Sequence, residues 1–189
     1  MDHVEPGPEH KPHIYTVGHS NTPIDGFLHQ LKAHGIRLLV DVRRYPSSKR
    51  YPQYNRPALA FALQQEGIAY IHEIELGGHR EPKADSENGG LKNDGFRAYA
   101  DHMTSAGFLD AFARICGAAR RLPLALMCAE ADPEHCHRLY LSDRLTVEGF
   151  DVRHILKTSE VRAHRLNADA RHVDGRLVYP PDGGQASLF

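Results

Sequence analysis

The sequence has few cysteines, no long apolar run and no excess of either charge, and each shortage excludes something. Three cysteines in 189 residues cannot all pair with one another, so a disulfide scaffold is excluded and reduced thiols are expected. The longest apolar stretch, Leu122 to Ala129, is far too short to cross a bilayer. Met1 to Pro12 is polar and proline-bearing, with nothing that resembles a secretion signal, so a cytoplasmic location is expected. The formal net charge is −1, which removes the bulk basic field that drives nonspecific DNA binding. No internal repeat is present.

What is there is ordinary globular material. Hydrophobic residues make up 41% and charged residues 25%, and the length suits one domain with a real core. Arginine clusters locally at Arg43, Arg44, Arg50 and Arg56, enough for an anion-binding cleft on a neutral protein. The 14 histidines read mostly as solvated surface.

Along the chain, residues 1–12 form a flexible lead. Ile14 to Val17 is a short buried strand followed by the loop Gly18-His19-Ser20-Asn21. Thr22 as N-cap, Pro23 in the first helical position and Asp25 two residues later open a helix, whose apolar stripe is Ile24, Phe27, Leu28 and Leu31. Arg37 to Val42 is a second strand, apolar without alternation and therefore covered on both faces. A polar, turn-rich segment reaches Arg56. Then come a helix over 57–66, a strand over 68–72 and a long glycine-rich loop over 76–94, a length that marks function or mobility. Helices near 96–105 and 108–121, a strand over 122–128, a helix over 133–148 and a strand over 152–156 complete the series. This order predicts an α/β fold, an open, mostly parallel sheet with helices on both faces (Rossmann-like, three layers). Ligands bind such sheets beyond the carboxyl ends of the strands, which selects the loops after Val17, Val42, His72 and Cys128. The α/β domain spans 13–156, and 157–189 reads as a loosely packed extension with a flexible tail.

The densest chemistry is Cys128-Ala129-Glu130-Ala131-Asp132-Pro133-Glu134-His135-Cys136-His137-Arg138, running from a buried strand into a helix. Asp132 as cap and Pro133 in the first position place Cys136 and His137 in or just after the first turn, where free N–H groups favour anions and lower a thiol's pKa. Three readings compete. Cysteine nucleophilic catalysis of the phosphatase kind needs five residues between cysteine and arginine, but nine separate Cys128 from Arg138, so that match fails. Metal binding by Cys128, Cys136 and His137, joined by His19, suits zinc or iron, although the spacing is that of no known zinc module. Glu130 as general acid, base or nucleophile beside an anion site is the third. The bland alternative is that both thiols are packing groups.

Other strand ends add candidates. His19, Ser20 and Asn21 offer donors and acceptors beside the permissive Gly18. Asp41 precedes Arg43 and Arg44, which either clamp a phosphate or order the loop through an Asp–Arg pair. Tyr51, Tyr54 and Asn55, interleaved with Arg50 and Arg56, can stack on a base and contact its backbone. Leu76-Gly77-Gly78 implies close backbone approach. Cys116 sits on the apolar side of its helix and reads as core.

Taken together, Gly18-His19-Ser20-Asn21, Asp41-Val42-Arg43-Arg44 with Pro46, Pro52-Gln53-Tyr54-Asn55, Leu76-Gly77-Gly78, and Cys128-Ala129-Glu130 with Pro133 and Cys136-His137-Arg138 closely resemble, in order and spacing, the signature blocks of the domain of unknown function 488 family. The resemblance covers about residues 13–156. It implies an α/β fold and a shared site at these positions, and no particular reaction. The terminal Gln185-Ala186-Ser187-Leu188-Phe189 resembles the bacterial sliding-clamp-binding pentapeptide, with Gln185, Leu188 and Phe189 in the contact places and Ala186 departing from the leucine often found second.

The expected function is an enzyme of DNA maintenance tethered to the sliding clamp. It would hold a nucleic-acid or nucleotide phosphate through Arg43, Arg44 or Arg138 and do hydrolase-type chemistry with Glu130, Cys136, His137 and His19. The alternatives are a small-molecule enzyme acting on a nucleoside or phosphorylated metabolite, and a noncatalytic module that binds nucleic acid or a metal.

Overall fold

A computed structural model describes residues 11–181. The start of the expected lead and the terminal Gln185–Phe189 segment lie outside the described residues. The strands are β1 (His13–Gly18), β2 (Leu38–Asp41), β3 (Ala69–His72), β4 (Leu124–Cys128), β5 (Asp151–Lys157), β6 (Glu160–Ala163), β7 (Arg171–Val173) and β8 (Arg176–Val178). The helices are α1 (Ile24–Ala33), α2 (Arg56–Gln65), α3 (Asp94–His102), α4 (Ala106–Ala119) and α5 (Arg138–Val147).

Six strands form one sheet in the order β3-β2-β4-β1-β5-β6. The first five run parallel, and β6 returns antiparallel to β5. The central strands β2 and β4 are buried along their whole length, as their unbroken apolar runs require when helices cover both faces. The edge strand β3 alternates between exposed and half-buried residues. One face of the sheet carries α1 and α2, through Phe27, Leu31, Leu59 and Leu63. The other carries α3, α4 and α5, through Tyr99, Phe108, Phe112, Ile115 and Leu141. The expected three-layer α/β architecture is therefore present. No helix among the described residues is long and apolar enough to cross a membrane.

Register fixes where chemistry can gather. Gly18 is paired with Cys128, and Asp41 with both Met127 and His72, so the ends of four strands lie along one edge of the sheet.

Three local expectations are corrected. Thr22 does not cap α1: its N–H donates to the His19 carbonyl and its own carbonyl accepts from the Tyr54 hydroxyl, so it closes a turn, and no side chain caps the helix. The segment after Asp132 is not one helix. A single 3-10 turn, Pro133–His135, is capped by Asp132, whose carboxylate accepts from the Glu134 N–H. The chain is then extended at Cys136 (φ −135°, ψ 148°) before α5 begins. The segment after Leu156 is anchored rather than loose. β6 joins the sheet, and Tyr179 is fully buried. Tyr179 also pins the loop after Gly78, donating its N–H to the Asn88 side chain and accepting from the Gly90 N–H.

Candidate functional site

β4 ends on Cys128, and the break before α5 turns Cys136 and His137 back toward it. The imidazole Nδ1 of His137 lies 3.9 Å from the Cys128 sulfur and 3.7 Å from the Cys136 sulfur. All three donor atoms fall within 4.8 Å of one another, so this is the donor set able to hold a metal. Both thiols are buried. Burial works against ionisation of Cys136, but hydrogen bonds from the Cys128 thiol and His137, and the charges of His137 and Arg138, outweigh it and hold Cys136 well below the ordinary thiol range. Cys128, which donates to that thiolate, is pushed well above the range by this hydrogen bond and by burial. Of the two sulfurs, Cys136 is therefore the one whose surroundings favour the thiolate.

Close backbone approach makes the arrangement possible at two glycines. A Cβ on Gly18 would lie 1.7 Å from the Glu130 carbonyl oxygen, and one on Gly78 would lie 2.9 Å from His137 Nδ1. Both positions exclude any larger residue unless the thiol loop shifts.

The arginines divide their roles. Arg43 is buried and doubly bonded to Asp41, Nε to Oδ1 at 2.9 Å and Nη2 to Oδ2 at 2.6 Å. Tyr70 donates to the same carboxylate at 2.8 Å, and Arg43 also reaches the Tyr54 carbonyl at 2.8 Å. The Asp–Arg pair that orders the loop has formed. Arg138, also buried, donates to Thr16 Oγ1 at 3.1 Å and to the Glu130 carbonyl. Arg44 has no ion pair among the described residues. It lies 6.0 Å from the centre of the Tyr45 ring and faces a cavity.

That cavity, about 310 Å³, is lined by Arg43, Arg44, Tyr45, Phe96, Glu130 and the Cys128–Cys136–His137 group, among others. A second, of about 360 Å³, is lined by His19, Ser20, Ser47, Ser48, Arg50 and Tyr51 and shares Arg43, Tyr45, Ala129 and Glu130 with the first. The two adjoin across these shared walls, a thiol–imidazole lobe on one side and an arginine–tyrosine lobe on the other. Among the described residues Glu130 is the one carboxylate on the walls of either, and it stands where they meet.

The structure brings together Cys128, Glu130, Cys136, His137, Gly78, Arg43 and Arg44. His19 and Ser20 stand in the second lobe. His19 does not join the thiols: it stacks on Tyr54 at 4.0 Å, and Arg43 Nη1 sits 3.2 Å from its Nε2. Burial and then the Arg43 charge lower its pKa to about 4, so at neutral pH it is a neutral acceptor for Arg43. Ser20 has φ 45°, a left-handed backbone that non-glycine residues seldom take. Asn21 lines neither lobe. Asn55 accepts from the Ser48 N–H, the Tyr54 hydroxyl from within holds Thr22, and Gly77 packs on the backbone of Val42 and Arg44. These three shape the loop from behind.

Sequence reasoning missed the support. Tyr99 is fully buried, donates to the Leu76 carbonyl at 2.9 Å and packs its ring 4.8 Å from His137. A buried polar chain runs away from Arg138. Thr16 Oγ1 is 2.8 Å from His154 Nδ1, His154 Nε2 is 3.0 Å from His164 Nδ1, and His164 Nε2 is 2.7 Å from Asp143. Tyr179 donates to the same carboxylate at 2.8 Å. His154, held neutral by burial, uses one ring nitrogen as donor and the other as acceptor in this chain, which runs from Arg138 to Asp143. His154 and His164 thus depart from the solvated reading of the histidines. The available signal was phase: His154 alternates with Val152 on one side of a strand.

An open parallel sheet whose strand ends gather two thiols, an imidazole, a carboxylate and arginines defines an α/β protein with its candidate site at the carboxyl edge. The model of the family described as domain of unknown function DUF488 matches residues 23–145, and the chain belongs to that family. The match takes in every strand-end block of the expected site except Gly18–Asn21. No curated protein and no solved structure matches the chain.

Proposed function

We propose that this protein is a nucleic-acid-directed hydrolase, which takes a nucleotide of its substrate into the two-lobed cleft and is brought to DNA by its terminal sequence. The observation that carries this reading is the shared wall of the two lobes. Exposed Tyr45, with Tyr51 and Arg50 beside it, offers stacking faces and cationic groups to a single strand or a flipped nucleotide. The adjoining lobe offers Arg44 to a phosphate and reactive side chains to the bond to be cut. In hydrolysis the water oxygen bonds to the electrophilic phosphorus or anomeric carbon. As the bond from that atom to the leaving oxygen or nitrogen breaks, Glu130 takes a proton from the water and passes it to the leaving atom. The Gln185-Ala186-Ser187-Leu188-Phe189 sequence supports recruitment by the sliding clamp, Leu188 and Phe189 filling an apolar groove.

The test is fluorescence polarisation with a labelled single-stranded oligonucleotide at two salt concentrations. Binding that weakens with salt, and falls about tenfold in an Arg44→Ala/Arg50→Ala variant, is expected. Binding of a nucleoside monophosphate without binding of the oligonucleotide would select the small-molecule reading. Clamp retention lost on Phe189→Ala tests the tail.

A further inference from the structure

We propose that Cys128, Cys136 and His137 hold one zinc ion through two thiolates and an imidazole, with the fourth position open to the cleft. The inference stands on the wall itself and is independent of which substrate the cleft takes.

Distance decides first. A tetrahedral zinc with Zn–S of about 2.3 Å and Zn–N of about 2.0 Å separates sulfur from nitrogen by roughly 3.6 Å and sulfur from sulfur by roughly 3.8 Å. Here the two sulfur–nitrogen separations are 3.9 and 3.7 Å, and all three atoms lie within 4.8 Å. Closing the group on an ion needs shifts of tenths of an ångström at the nitrogen and of at most about 1 Å between the sulfurs.

Hydrogen bonding points the same way. His137 Nε2 is buried without a hydrogen-bond partner among the described residues, and its Nδ1 meets only the two sulfurs. The sulfurs are weak hydrogen-bond partners, so Nδ1 gains from a metal ligand shared with them, while Nε2 then carries the proton. The Cys136 sulfur is held in place by the Arg138 backbone N–H at 3.5 Å. Gly78 keeps a side chain away from Nδ1, where a Cβ would approach to 2.9 Å.

Charge and coordination number name the ion and its use. Two thiolates and a neutral imidazole around Zn²⁺ sum to zero charge, the condition a buried site tolerates, and the thiol protons go to solvent on loading. Sulfur with nitrogen in a tetrahedral arrangement selects zinc over hard cations. No fourth donor joins the group among the described residues, and the three ligands form part of the cleft wall with Glu130. Three protein ligands and an open position are the arrangement of catalytic zinc, which acidifies a bound water. Glu130 is the carboxylate on hand to take its proton.

The full chain, expressed with added zinc and purified reduced and free of chelator, is analysed for metal and then loaded with Co²⁺. About one zinc per chain is expected, with a thiolate-to-cobalt charge-transfer band and the intense visible bands of a four-coordinate ion. Cys128→Ser/Cys136→Ser should lose both signals and His137→Ala should weaken Co²⁺ binding at least about tenfold. Cys116→Ser, in the core of α4, should keep both. Circular dichroism reports whether each variant folds; should the ligand variants fail to fold, the wild-type cobalt spectrum and its removal by a chelator decide. Wild-type protein with under about a tenth of an equivalent of zinc and no cobalt–thiolate band, cobalt bands that survive the double cysteine change, or a Cys128–Cys136 disulfide in freshly isolated protein overturns the proposal.

Discussion

The two lobes of the cleft are built by opposite means. The thiol–imidazole lobe stands on β4 and the start of α5, and its members are held from behind by Arg138, Tyr99 and the backbone at Gly18 and Gly78. The arginine–tyrosine lobe rests largely on the turn-rich segment 45–51, where Tyr45 is 66% exposed. Groups that must meet within tenths of an ångström sit on rigid elements with a supporting layer. Groups that must accommodate a ligand sit on a loop. On the proposed function, chemistry falls to the first lobe and recognition to the second, and either half of that division can be broken.

The largest effect is expected at Arg138. Its side chain is 1% exposed and ties the Glu130 carbonyl to Thr16, hence the thiol loop to the polar chain that ends at Asp143. Arg138→Ala leaves a carbonyl and one end of that chain without their donor, a loss of about 3–5 kcal/mol by analogy with other buried charged hydrogen-bonding groups. Urea denaturation measures it. A loss under about 1 kcal/mol would mean that the rigid lobe does not depend on this arginine.

A smaller effect separates the same lobe by pH. Burial, the neighbouring His164 and the Arg138 charge lower the His154 pKa to about 3, against about 6.5 in an unfolded chain. Because the folded protein keeps His154 neutral, the unfolded chain binds the extra proton between those values. The contribution is fully present above pH 6.5 and is lost as pH falls toward 3. Arg162 and Asp132 also face this group and act in opposite senses. Between roughly pH 5.5 and 4 the wild type should lose stability faster than His154→Gln, by about 1.4 kcal/mol per pH unit. Parallel slopes would show that His154 is not held neutral and that the donor–acceptor chain is drawn wrongly.

The contrast between the lobes also explains what could be read from sequence. The strand-end loops after Val17, Val42 and Cys128 were legible because buried runs and the glycine, proline and aspartate that end them are neighbours in the chain. Cys128 and His137 were legible as a pair because only eight residues separate them. The break at Cys136 was not, since Asp132 and Pro133 open a 3-10 turn and a helix equally well. Tyr99 read as one more aromatic on a helix. The chain Thr16, His154, His164, Asp143 and Tyr179 joins residues up to 138 apart, and no local pattern pairs a strand hydroxyl with a histidine that distant. Arg43 and Arg138 announced charge but not that Asp41, Tyr54, Thr16 and Glu130 had already claimed it.

The smallest effect on stability should carry a clear effect on binding. Tyr45 packs loosely, 6.0 Å from the His79 ring and 6.0 Å from the Arg44 guanidinium, and buries little. Tyr45→Ala should leave the unfolding free energy within about 0.5 kcal/mol of wild type, as surface changes do. It should weaken oligonucleotide binding by about tenfold, the worth of one stacked base, and a leucine at the position should recover little, since it lacks a ring face. Zinc content should not change, because the residue stands outside the donor group. A variant that unfolds early while binding normally would reverse the assignment, making the loop a structural brace and moving recognition into the rigid lobe.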